Sequence, residues 1–165
     1  MPTINLYQLD PILKKFLFLF LVVITIGVTM GLNYVRHTTH MSNEGIVHRF
    51  AGSEQVDEFD IPEHYPKPIS DMLMTTHNHI ISFSLIFLAM GLLFYFNSII
   101  NGTWKLFLMT EPLISILFTF GSIWGIRFIS PAFAIFTIIF GGLMYISFYI
   151  MAGVIVYELM FYSED

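Results

Sequence analysis

Four apolar runs dominate the chain, at residues 16–32, 80–96, 106–126 and 131–157. None alternates apolar and polar positions with a period of two, so strands do not explain them. A bilayer core about 30 Å thick is crossed by about 20 helical residues. The third and fourth runs reach that length unaided. The first two reach it when their polar ends, Asn33–Tyr34 and His77–His79, enter the interface. The pattern predicts an all-α membrane protein: an antiparallel bundle of four transmembrane helices near 11–35, 77–98, 104–127 and 131–161, forming a single membrane domain over 1–165. The first run is too long for a signal-peptide core and no small-x-small site follows it, so a retained helix is expected.

The connections are unequal. Asn101-Gly102 signals a turn between the second and third helices. Pro131 is placed to open the fourth. Between the first and second lies a polar segment, 36–76, holding Glu44, Glu54, Asp57, Glu58, Asp60, Glu63 and Asp71, with Pro62, Pro66 and Pro68 in its second half. It is expected to form an extramembrane cap with little regular structure. Lys14, Lys15 and Lys105 fall on one side of the bundle, and Arg36, Arg49, Lys67 and Arg127 on the other. Basic residues alone do not set the orientation. The acidic segment suggests translocation, with both termini in the cytoplasm.

Composition narrows the chemistry. Charged residues are 12% of the chain, against about 25% in a soluble domain. The seven Lys and Arg are scattered, which argues against nucleic acid as a partner. There is no Cys, which removes disulfides, thiolate metal sites, iron–sulfur clusters and covalent haem attachment. No nucleophile–base set, phosphate loop or transport signature is present, so no enzymatic activity is assigned.

All six His lie in or beside the polar segment. His37-Thr-Thr-His40 leaves the first helix and His77-Asn-His79 enters the second. If those helices are neighbours, the two pairs meet at one membrane surface. Imidazole ligates metals and haem iron. His77 and His79 stand about 200° apart on a helix, so one of them points into the bundle. Haem b is the first cofactor expected at these four His, with Arg127 suited to pair with its propionates. Copper with nearby Met41, Met72 and Met74 is second, and zinc as a loop staple third. The bland alternative is a set of interfacial histidines at headgroup level, with no cofactor.

Gly27-x-x-x-Gly31 and Gly121-x-x-x-Gly125 clear side-chain bulk from two helix faces, and Gly141-Gly142 does so nearer the middle of the fourth helix. Such spacing is most often used for close helix packing, here within the bundle, in a homo-oligomer or against a partner subunit. It would also leave room for a flat macrocycle. Glu111 is the one acid inside an apolar run, followed by Pro112, and Glu158 ends the fourth helix on the same side. An acid within the membrane is a functional candidate by default, and the two together suggest a proton relay. A hydrogen-bonded structural acid is the alternative.

Gly45-Ile-Val-His-Arg-Phe-Ala-Gly-Ser-Glu54, Pro66-Lys-Pro68, Thr76-His77-Asn-His79 and Gly91-Leu-Leu-Phe94 together resemble a family of small, poorly characterised four-helix bacterial inner-membrane proteins. The Thr-His-x-His step entering the second helix is the most specific part. The resemblance covers the polar segment and second helix, roughly a third of the chain. It implies a loose association with respiratory cytochrome systems and carries no activity. His37 and His40 lie outside the family's pattern. Two functions follow: a haem- or metal-binding protein of respiratory electron transfer, or a non-catalytic subunit of a larger membrane complex.

Overall fold

The computed structural model describes residues 4–53 and 63–163. It contains five α-helices: α1 (Pro11–Thr39), α2 (Asn43–Ala51), α3 (Ile69–Tyr95), α4 (Gly102–Phe128) and α5 (Ala134–Met160). Short 3-10 turns at Leu6–Gln8 and Pro131–Phe133 precede α1 and α5. Four helices, α1, α3, α4 and α5 with its leading turn, are long and apolar enough to cross a bilayer. The chain is a multi-pass membrane protein with the expected helical bundle.

Local chemistry sets the helix ends. Asp10 caps α1, its carboxylate accepting from the Ile12 and Leu13 amides at 2.9 and 3.1 Å, with Pro11 in the first turn. α1 runs past the expected residue 35 to Thr39. The Thr38 and Thr39 hydroxyls donate back to the Tyr34 and Val35 carbonyls. The chain then turns through His40 and Met41, both at positive φ.

The expectation of little regular structure in 36–76 is corrected by α2. Ser42 caps it, accepting from Gly45 N–H at 3.0 Å. Glu44 sits favourably in its first turn, and Ile46 and Phe50, one turn apart, are buried. A Cβ on Gly45 would lie 2.1 Å from the Thr39 carbonyl oxygen, so glycine allows α2 to start hard against the end of α1. Glu54, Asp57, Glu58, Asp60 and Pro62 lie outside the described residues. On either side of them Ser53 N–H donates to the His64 carbonyl at 2.9 Å and Lys67 N–H to that of Phe50 at 3.2 Å. α3 begins at Ile69 rather than near 77. At 27 residues it is about 40 Å long, so its polar first turns stand beyond the hydrocarbon.

α4 and α5 form the central pair, α3 lies against both, and α1 packs mainly on α5. The shared core holds Phe87, Met90 and Phe94 of α3, Ile116, Phe120 and Ile123 of α4, and Phe148, Met151 and Ile155 of α5. A Cβ on Gly125 would meet the Phe133 ring at 2.4 Å, and that close approach forms the α4–α5 corner. α1 buries Leu21, Val28 and Thr39 and is tied to α5 by Thr29 and Tyr149, whose hydroxyls lie 2.8 Å apart. Exposed Leu85, Leu88 and Leu92 on α3, and Phe16, Leu19, Val23 and Ile26 on α1, fit a surface solvated by lipid.

Both ends of the described chain meet on one side. Tyr7 and Tyr162 touch edge to face, centroids 5.3 Å apart, and Leu6 N–H donates to the Phe96 carbonyl at 3.2 Å. This side, with the 96–101 turn, is termed the turn face. The opposite side, with α2, is the loop face.

Candidate functional site

The histidines divide into two groups. His79 places its Nδ1 2.8 Å from the Thr75 carbonyl, which orients the ring and leaves Nε2 uncommitted. The ring lies against Phe120 of α4 and Phe83, centroids 5.2 and 5.9 Å away. Beside it Trp124 Nε1 donates to Thr76 Oγ1 at 2.9 Å. The Lys67 ammonium donates to Thr75 Oγ1 at 2.9 Å and sits 5.6 Å from the Phe50 ring centroid. Partial burial, with Arg49 nearby, lowers the Lys67 pKa below the ordinary lysine value. Thr76 and His79 of the Thr-His-x-His step thus tie α3 to α4, and the preceding Thr75 ties it to the loop. His77 is exposed on another side of the helix.

His37 and His40 line a different feature, a polar cleft of about 650 Å³ on the loop face, together with His48, His64, Glu44, Glu63 and Arg49. The His48 and His64 rings lie 5.8 Å apart, and His48 Nε2 is 3.8 Å from Glu44 Oε1. The cleft does not include His77 or His79. The hairpin that would bring the two pairs together is not the main contact: α1 leans on α5, and α2 packs against α1, α4 and α5. Among the described residues no group of three or more His, Asp or Glu side chains is arranged to hold a metal ion. Arg127 stands over the Phe128 ring at 5.5 Å, its Nε buried without a partner.

The most built polar feature lies inside the bundle. Glu111 is buried on α4. Ser115, one turn on, donates to Oε1, and Ser147 of α5 donates to Oε2 at 2.6 Å. Each carboxylate oxygen therefore has a hydroxyl, one from each of the two central helices. Pro112 has no N–H, so the helical bond to the Leu108 carbonyl is missing beside the acid. Glu111, Ser115, Thr119 and Ser122 follow one face of α4 and all are buried. Gly141 of α5 faces Thr119, whose methyl a Cβ there would touch at 3.8 Å. Towards the loop face, Thr119 Oγ1, Thr137 Oγ1 and Arg127 Nε are buried with no partner. Buried polar atoms are rarely left unbonded, so these three mark the seam as a buried polar line in an otherwise apolar bundle.

Glu158 lies further along α5, beyond the buried Met151 and Ile155, and is fully buried. Its Oε2 accepts from Ser98 N–H at 2.8 Å. It shares no hydrogen bond with Glu111, for it stands three turns of α5 beyond Ser147, about 16 Å along the axis. Sequence reasoning singled out both acids and missed Ser98, Ser115, Thr119, Ser122 and Ser147. The signal for the α4 residues is present: small hydroxyls recur every three or four positions after Glu111.

No curated protein and no solved structure matches the chain. A family model described as a transmembrane helical domain matches residues 40–165, from the end of α1 through α5, which takes in the polar seam and both acids. The chain therefore belongs to this family of transmembrane helical domains.

Proposed function

We propose that this chain is a small membrane subunit that transfers protons within a larger bacterial inner-membrane complex, with Glu111 as the group that takes up and releases the proton. The observation that carries this reading is the bidentate grip on Glu111 by Ser115 and Ser147 in a buried seam. A carboxyl in apolar surroundings exchanges a proton only along hydrogen-bonding neighbours, and the hydroxyls of α4 supply them. Both termini and the turn face lie in the cytoplasm in this reading. A partner subunit or second copy would lie against the lipid-facing side of α1, where Gly27 has nothing within 4 Å of a built Cβ. A membrane-permeant carbodiimide, which adds to protonated carboxyls in apolar sites, tests the assignment. Peptide mapping is expected to find the adduct on Glu111, increasing as pH falls and absent in Glu111→Gln. An unmodified Glu111 at every pH overturns it.

A second reading is favoured by the cleft that gathers His37, His40, His48 and His64. It is a haem- or metal-binding role in respiratory electron transfer, with haem b, copper or zinc at the loop-face histidines, or with His77 and His79 supplying ligands from α3. Metal analysis and oxidised and reduced optical spectra decide it. Stoichiometric haem or metal, lost in His40→Ala or His79→Ala, supports the role. A colourless, metal-free protein in its native oligomeric state overturns it.

A further inference from the structure

Arg49 of α2 and Lys67, just before α3, are half-buried cations near one another on the loop face. Each is fixed by neutral groups. The Arg49 guanidinium donates to the Tyr34 hydroxyl at 2.9 Å and lies 5.1 Å from the centroid of that ring. The Lys67 ammonium is held by the Thr75 hydroxyl and the Phe50 ring. Neither has a carboxylate at ion-pair distance: among the described residues the one such pair is His48 with Glu44. The acids nearby stand further off. The Asp71 charge reaches Lys67, and Glu44 and Glu63 line the cleft that Arg49 borders. The Arg49 charge disfavours that of Lys67, and both charges reach the Tyr34 hydroxyl. Like charges held together in partial burial are unfavourable, and an anion between them offsets the repulsion.

Donor count and depth select the anion. A guanidinium has five N–H donors and an ammonium three, and here one of each is spent, on Tyr34 and Thr75. The remaining donors match the several oxygens of a phosphate, which arginine grips with two parallel bonds. Tyr34 stands about 8 Å before the end of α1, at the interface where phenol rings and lipid headgroups lie. Arg49 also borders the polar cleft of about 650 Å³, which has room for the rest of a headgroup. We propose that Arg49 and Lys67, positioned by Tyr34 and Thr75, form a binding site for a phosphate group at the headgroup level of the loop face. The phosphate comes from an anionic phospholipid or from free phosphate in solution. The site depends neither on Glu111 nor on a metal in the neighbouring cleft.

The site is tested with the full chain in a mild detergent. Native mass spectrometry measures binding of phosphatidylglycerol and of its phosphate-free counterpart, diacylglycerol. Titration calorimetry measures inorganic phosphate alone. Phosphatidylglycerol should bind about tenfold more tightly than diacylglycerol, and Arg49→Gln and Lys67→Gln should each remove about that factor, as losing one charge-assisted hydrogen bond does. Arg49→Lys keeps the charge without the fork and should lose part of it, which also covers a failure of Arg49→Gln to fold. Arg36→Gln, which removes an exposed charge from the same face, should bind as the parent does. Inorganic phosphate bound with the same variant pattern, and no preference between the two lipids, supports the site with a soluble source. Binding of neither probe, binding unchanged in Arg49→Gln and Lys67→Gln, or an equal loss in Arg36→Gln overturns the proposal.

Discussion

Without its two hydroxyls Glu111 would be a carboxyl buried among apolar side chains. Losing one partner of a buried polar group costs about 1–3 kcal/mol. Ser147→Ala and Ser115→Ala should each lower stability by about that much, read as a drop in Tm in detergent. Glu111→Gln keeps an acceptor and a donor at the site, so it should fold, insert and lose less. The sequence makes Glu111 conspicuous as a lone acid in an apolar run. Its partner Ser147 is not legible, because serine is common in membrane helices. Only the pairing of α4 with α5 shows that residue 147 stands level with residue 111. Glu158 was legible as a helix-end acid, but its complete burial was not, since that depends on the 96–101 turn folding over it.

At the level of elements, the apolar runs located all four spans and understated two of their ends. α1 and α3 continue into polar residues that a membrane pattern does not count: Arg36–Thr39 in one, Ser70 and Asp71 in the other. α2 was readable in part, from Ser42 as a cap and the Ile46–Phe50 spacing, but Gly45 and the short length obscured it. The α3–α4 contact depends on the motif region. Thr76→Val and Trp124→Phe each remove the same indole–hydroxyl bond. Each should cost about 0.6 kcal/mol, the usual worth of such a bond between membrane helices. The double variant should cost little more than either alone, which a double-mutant cycle of unfolding measures. The placement of α1 against α5 was beyond the sequence, since a polar connection of some 40 residues lets the first helix dock on several neighbours. Because the chain has no cysteine, Thr29→Cys with Tyr149→Cys offers a clean check. Efficient cross-linking of that pair within one chain by a short bifunctional maleimide is expected, because the tyrosine side chain spans a gap too wide for a direct disulfide. Its absence in the folded protein would contradict the α1–α5 packing.

For the molecule as a whole, the four-helix membrane architecture was legible because lipid demands long apolar helices and leaves few alternatives. The site was legible only in outline. The acids stood out one by one, whereas the seam exists only once α4 and α5 are paired. The histidines, read as two pairs meeting at one membrane surface if their helices are neighbours, lie in different surroundings: His37, His40, His48 and His64 line a loop-face cleft, His79 joins an α3–α4 contact, and His77 is exposed. Reporter fusions at Asn43 and Ser130 should appear on one side of the membrane and a fusion at Gly102 on the other. Gly102 on the same side as Asn43 would contradict the alternating spans. The most direct measurement is a pH titration of the infrared carboxyl bands of the full chain in lipid, compared with Glu111→Gln. A protonated-carboxyl band that gains and loses intensity reversibly with pH, and is missing in Glu111→Gln, is the predicted result. The contradictory result is a folded, inserted Glu111→Gln protein whose spectrum matches the parent at every pH.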